Sequence, residues 1–251
     1  MIVTGNYEQA KPHRKAVTIL TGDVFGRTDI IAGGGPDERP HAYLVEQSPG
    51  VSLPTHFHMT DQFQVVVRGS GMMGRSHQLA PLTVHFARGK TGYGPIVAGG
   101  EGLAYLTLRP RVEYGAHYFS DPRTQVDRKA PKSQATSEIV PLQSGVLAAT
   151  PARALIAPDD SGLSAWLSML TDSQAFTSPS AGPAGRFHVV AGGAALVNGE
   201  RLPPWSCVWV SAGQVEPHIE ACLGGAEILT LQFPGYSLFP PPLPAGASIP
   251  T

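Results

Sequence analysis

The chain has 251 residues, 42% of them hydrophobic and only 15% charged, with a formal net charge of −1. This composition supports a packed core and excludes a wholly disordered chain, while the near-zero charge without basic runs argues against binding a nucleic-acid backbone. The 29 glycines and 24 prolines argue against a helical bundle and favour many short strands joined by turns.

Met1 to Lys15 has no apolar stretch of the signal-peptide kind, and no run approaches the ~20 apolar residues that a membrane helix needs. A soluble, cytoplasmic protein is expected. Short runs rich in β-branched residues follow in chain order: Ala16–Leu20, Phe63–Val67, Leu103–Leu108, Phe187–Val190, Ala194–Val197, Ser206–Val210 and Glu227–Phe233. Asn198-Gly199 is a hairpin turn signal. Helical periodicity is weak throughout; Ala152–Leu155 and Leu163–Leu170 come closest to it. Gly33-Gly34-Gly35 is followed by no helical pattern, so it does not read as a phosphate-binding loop. Cys207 and Cys222 are too few for a disulfide framework and fit no zinc spacing; Cys207 reads as a buried thiol. The polar segment from Asp121 to Thr136 reads as a linker. The segment from Pro234 onward is too proline-rich for a central strand.

The two halves repeat. At an offset of 124, Phe63–Gly69 falls on Phe187–Gly193 and Val84–Gly89 on Val208–Gly213; at 123, Leu106–Leu108 falls on Leu229–Leu231. A duplicated β domain is expected.

Chemistry concentrates in Gly50–Gly69. On a strand, His56 and His58 share a face, where two imidazoles can converge on one metal ion. Gln62 follows after a gap long enough for a turn; its carbonyl oxygen can be a third ligand or can orient one. Gln64 has the same strand parity as Gln62 and is a candidate for substrate contact. Arg109 and Arg111 follow a predicted strand and read either as pocket-rim charges or as plain surface charges.

The run Gly50, His56-x-His58, Gln62, Gly69 resembles the first motif of the cupin superfamily, with Gln62 where Glu is usual. The second motif has its counterpart in Ala87–Pro95, where the expected His position falls on Gly92 or Tyr93. His85 or Tyr93 is therefore the candidate to complete the site, Tyr93 also as an acid–base group or hydrogen-bond donor. The second half carries no equivalent His pair. The resemblance implies an all-β fold of two tandem cupin jelly-roll barrels: residues 1–121 with the metal site, a linker at 122–137, and 138–251 without metal ligands. It implies a divalent ion (Fe, Mn, Ni or Zn) held by His56, His58, Gln62 and His85, with Tyr93 in a catalytic role and Gln64 at the substrate. The function implied is a metalloenzyme acting on a small oxygenated metabolite, of dioxygenase, decarboxylase, isomerase or lyase type; the alternative is a metal-free ligand-binding or structural bicupin. A homodimer is expected, because cupin sheets present edges and apolar faces that associate.

Overall fold

The computed structural model describes residues 1–32, 39–113, 115–140, 150–180, 182 and 184–235. Among these residues the chain is nearly all β, with one four-residue helix, Tyr7–Ala10, capped by the Asn6 side chain, and a short 3-10 turn after it. No helix among them is long and apolar enough to cross a membrane.

Two antiparallel sheets organise the molecule. One runs Gln134–Thr136, Val84–Ala87, Gln62–Met73, Ile96–Arg109, His41–Gln47, Val24–Ile31, Lys15–Thr18, with Ser52–Leu53 and His77–Leu79 paired at its side. The other runs Ile2–Gly5, Cys207–Val210, Arg186–Val197, Ile219–Gln232, Ser164–Leu170, Thr150–Ile156, with Glu200–Leu202 attached. A small ribbon pairs His56–Phe57 with His117–Tyr118.

Strand alternation divides the side chains between two environments. Phe63, Val65, Phe86, Leu106 and Leu108 of the first sheet share one apolar cluster with Phe187, Val189, Trp209, Leu229 and Leu231 of the second. Phe233 sits among them, with ring centroids 4.9 Å from Phe63 and 5.9 Å from Trp209. The intervening residues (Gln62, Gln64, Tyr105, Thr107, Arg109) turn to the opposite face of the first sheet and line its cavity. Both faces of these strands are buried, so they read in sequence as continuous apolar runs.

Several expectations change. Ala152–Leu155 and Leu163–Leu170 belong to strands Thr150–Ile156 and Ser164–Leu170. Pairing of the latter along Ile219–Gln232 decides the matter over weak local preference. Strands Val24–Ile31 and His41–Gln47 went unread because Arg27, Asp29, His41 and Glu46 interrupt the apolar pattern. Part of the expected linker, Gln134–Thr136, is an edge strand against Val84–Ala87. The first residues do not join the first sheet: Ile2–Gly5 pairs with Cys207–Val210. Gly33-Gly34-Gly35 and residues 236–251 lie outside the described residues.

The repeat is visible in the ladders, with one correction. Phe63 pairs with Phe86 and Leu108, while Phe187 pairs with Trp209 and Leu231. Phe86 therefore corresponds to Trp209, an offset of 123 rather than the 124 read from sequence. The one-residue change lies in the hairpin. Gly74, Arg75 and Ser76 join Met73 to His77, whereas only Asn198 and Gly199 join Val197 to Glu200. Asn198 and Gly199 both have positive φ, 48° and 87°, as a two-residue hairpin turn requires. From the hairpin through Ile219 the offset stays at 123, which places Glu216 on Tyr93 and Gln232 on Arg109.

Candidate functional site

The first sheet wraps a cavity of about 420 Å³ lined by Tyr43, His56, His58, Gln62, Gln64 and Tyr93, with Tyr105, Arg109, Glu113 and Tyr118 among its other walls. His56 is fixed by the ribbon with Tyr118 and by reciprocal backbone bonds with Tyr93, His56 N to Tyr93 O at 3.1 Å and Tyr93 N to His56 O at 3.0 Å. The His56 ring centroid lies 5.3 Å from that of His58 and 4.6 Å from that of Tyr93.

Proton positions follow from partners. His56 Nδ1 lies 2.7 Å from the Pro54 carbonyl, an acceptor only, so Nδ1 carries the hydrogen and Nε2 the lone pair. Burial pushes the His56 pKa down to about 4; the Pro54 bond opposes this and the Arg109 charge adds to it. Burial, then Arg109, pushes His58 down to about 3. Both imidazoles are neutral at physiological pH. His58 Nδ1 is buried without a hydrogen bond, 3.6 Å from Glu113 Oε1. The Glu113 carboxylate itself accepts from the Met59 and Thr60 amides at 2.8 and 3.0 Å.

Gln62 is the centre of the polar network. It is fully buried, and its amide nitrogen donates to Tyr93 Oη at 2.5 Å. Its carbonyl oxygen accepts from Arg109 Nε and Nη2 at 3.1 and 3.0 Å. Arg109 is 1% exposed and also donates from Nη1 to the Glu113 backbone carbonyl at 3.2 Å. A guanidinium has five N–H donors, so two remain without a partner among the described residues. Among the described residues Arg109 forms no ion pair with a carboxylate; its charge lies 5.5 Å over the Tyr43 ring.

The expected site residues thus separate. His56, His58, Gln62, Gln64 and Tyr93 come together at the cavity; His85 does not. Its ring lies 5.3 Å from Tyr93 but faces a small separate void with Gln64, Val66, Met73 and Leu79. Its Nδ1 is 2.8 Å from Thr136 Oγ1. The substitution of His85 for the missing third imidazole is therefore corrected: the ladder sets it opposite Gln64 on the same face, but Gln64 and Tyr105 stand between its void and the cavity. Gln62 as a metal ligand is corrected too, because its oxygen is held by a buried cation. Tyr93 cannot serve as a base near neutral pH, since burial pushes its phenol far above its usual range. Its hydroxyl, which accepts from Gln62, keeps its own proton to donate.

Glu113, Tyr43, Tyr105 and Tyr118 are not assigned to the site from sequence, and Arg109 is left there between pocket rim and surface. A signal for Arg109 did exist: Leu103, Tyr105, Thr107 and Arg109 share one parity, and extending the predicted strand by one residue points Arg109 inward. Glu113 had no such signal, because it reaches the site from the loop after that strand.

No family model matches the sequence, and no curated protein matches it either. Solved structures do resemble it. A putative dioxygenase from Nostoc punctiforme has a TM-score of 0.63 at 14% identity, over 92% of this chain and 82% of that one. The bacterial pirin from Escherichia coli, in complex with nickel(II), has a TM-score of 0.59 at 12% identity, over 94% of this chain and 100% of that one. An oxalate decarboxylase variant from Bacillus subtilis has a TM-score of 0.57 at 11% identity, over 92% and 76% respectively. These are cupin-fold proteins, and at such identities the likeness defines the fold: this chain has the all-β cupin jelly-roll architecture.

The fold implies a divalent metal, but the residues present do not fit one. Among the described residues no group of three or more His, Cys, Asp or Glu side chains is placed to hold a metal ion. His56 and His58 have neutral, metal-competent rings. However, the third position is an amide whose oxygen already binds a guanidinium, and a divalent ion there would meet a buried positive charge with little water to screen it. Glu113, the carboxylate beside His58, is held in place by the Met59 and Thr60 amides, one on each oxygen.

Proposed function

We propose that the chain is a bicupin that binds a small oxygenated molecule in the cavity of its first barrel, without a resident metal on His56 and His58. The reading divides the chain into two barrels, approximately 1–121 and 138–251, the second serving to cover the shared apolar face of the first. The observation that carries it is the docking of Arg109 on Gln62, which fills the third position with a cation and leaves polar donors on the wall of a roomy cavity. Gln64 and the Tyr93 hydroxyl supply hydrogen bonds to the ligand, and His56 Nε2 supplies a neutral lone pair. The chemistry within reach of these groups is proton transfer at a bound oxygenated compound, with His56 as acceptor and Tyr93 as donor.

A second reading, a metalloenzyme, is favoured by the adjacency of the two neutral imidazoles, 5.3 Å between ring centroids. Metal content separates the two. Untagged protein, incubated with nickel(II), iron(II), manganese(II) or zinc(II) and then desalted, is expected to carry far less than one ion per chain, with a melting temperature indifferent to chelator. One tightly held ion per chain, lost in His56→Ala/His58→Ala, overturns the metal-free reading.

A further inference from the structure

The two halves carry the same three positions at the inner end of the barrel, filled differently. In the first half they are Gln62, Tyr93 and Arg109. The ladder register places Arg186, Glu216 and Gln232 at the corresponding points of the second. Arginine and glutamine have exchanged strands, and a carboxylate stands where the first half has a phenol.

The second half is electrically closed. Arg186 donates from Nε to Glu216 Oε1 at 2.5 Å, and its Nη2 also contacts Glu216. His188 lies 3.0 Å from the other Glu216 oxygen and 3.1 Å from Thr230 Oγ1. Gln232 spends its amide nitrogen on the Ala184, Gly185 and Phe233 carbonyls. Guanidinium and carboxylate cancel, and the site needs nothing from outside.

The first half keeps the guanidinium, but among the described residues no carboxylate touches it; Glu113 acts on it only through space. Among the described residues Arg109 donates only to neutral oxygens, those of Gln62 and of the Glu113 backbone. Glu113 is the carboxylate that feels Arg109 most directly, and it is tied to the Met59 and Thr60 amides. Arg27 and Arg123, also on the cavity wall, are paired with Asp29 and Asp121. A buried charge without an ion-pair partner is costly, and a ligand that brings the missing charge recovers that cost on binding. Three tyrosines, Tyr43, Tyr105 and Tyr118, also line the wall, with aliphatic residues such as Leu20, Val45 and Leu53 beside them.

We infer that the first barrel binds a small organic carboxylate, its anionic group on the two unpartnered N–H groups of Arg109 and its body among Tyr43, Tyr105 and Tyr118. The bound carboxylate takes over the role that Glu216 plays in the second half. Gln64, whose Oε1 is buried without a partner, accepts from any hydroxyl the ligand carries. The inference rests on the proposed ligand-binding reading and deepens it by naming the ligand class.

Benzoate, with benzamide as its neutral isostere, is the probe pair. Calorimetric titration of the full chain is expected to give saturable benzoate binding, one site per chain, and at least about tenfold weaker benzamide binding, the loss expected when a charge-assisted hydrogen bond goes unmade. Arg109→Gln is expected to abolish the preference. Because that change disturbs Gln62, a second variant guards against a folding artefact: Gln62→Arg/Tyr93→Glu/Arg109→Gln copies the closed network of the second half and is expected to melt cooperatively without binding benzoate. Equal binding of benzoate and benzamide, or benzoate binding that survives Arg109→Gln, overturns the anion inference while leaving a neutral-ligand pocket standing. Failure of benzoate to bind at millimolar concentration also overturns it. A stoichiometric metal on His56 and His58 overturns the underlying reading instead.

Discussion

Replacing Tyr93 by phenylalanine removes one oxygen and leaves the ring. That oxygen accepts the Gln62 amide proton at 2.5 Å, at a position where Gln62 is fully buried. The other end of the Gln62 amide is anchored by Arg109, so the side chain cannot rotate to find a new acceptor without breaking two bonds. The expected cost is that of a buried donor left unmade, about 1–3 kcal/mol. For a chain of this size that corresponds to a fall in melting temperature of roughly 2–12 °C. Tyr105 provides the control. It lines the same cavity, is as deeply buried, and among the described residues makes no hydrogen bond through its hydroxyl. Tyr105→Phe is therefore expected to change stability by less than about 0.5 kcal/mol. Thermal and urea unfolding of both variants beside wild type make the comparison. Equal effects of the two substitutions, or a neutral Tyr93→Phe, would refute the network described around Gln62.

Acidification is expected to destabilise the protein between about pH 6.5 and pH 4. His56 and His58 are held below their ordinary value of 6.5, at about 4 and about 3, so in this range the unfolded chain binds protons that the folded chain does not. The slope approaches about 1.4 kcal/mol per pH unit for each such histidine, and urea titrations across this range should find a shallower one in His58→Gln. Gly69→Ala and Gly193→Ala are each expected to destabilise by about 2–4 kcal/mol, combining left-handed strain with a clash. Their φ angles are 76° and 66°, and an added Cβ would come within 2.2 Å of the Gly102 or Gly225 carbonyl oxygen; melting curves that single out only one of them contradict the equivalence of the halves. Finally, Gln62→Glu/Arg109→Gln restores a carboxylate beside the two imidazoles and removes the cation. This double variant is expected to retain nickel(II) after desalting, whereas wild type and Gln62→Glu alone do not; metal analysis finding no gain means that something other than Arg109 excludes the ion.

The all-β fold was legible because burial on both faces makes strands such as Gln62–Met73 and Arg186–Val197 apolar along their length. The repeat was legible for the same reason: Phe63 and Phe187 do the same work in the shared core. The correspondence slipped by one residue at Val84–Ala87, because apolar strands tolerate a shift that their ladders do not. Motif spacing located His56, His58, Gln62 and Tyr93, since all four sit on or beside regular strands. What it could not convey was direction and charge. His85 is the direct register partner of Gln64 and shares its face, yet its ring lies in a small void beside the cavity rather than in it. Arg109 lies far from the His pair in sequence, and its meaning appears only when it is found docked on Gln62. Glu113 arrives from a loop with no periodicity to betray it.

The placement of Ile2–Gly5 on the edge of the second sheet has a consequence for synthesis. This strand leaves the ribosome some 200 residues before its partners, Cys207–Val210. At roughly 5–20 residues per second that is a wait of about 10–40 s. During that interval the strand and the apolar face of the first sheet, with Phe63 and Phe86, lack their native cover. Closure of the second half thus ends the exposure of both at once. A nascent chain stalled before Cys207 is the form most in need of a chaperone, and truncations that end there should be recovered from cells aggregated rather than half-folded.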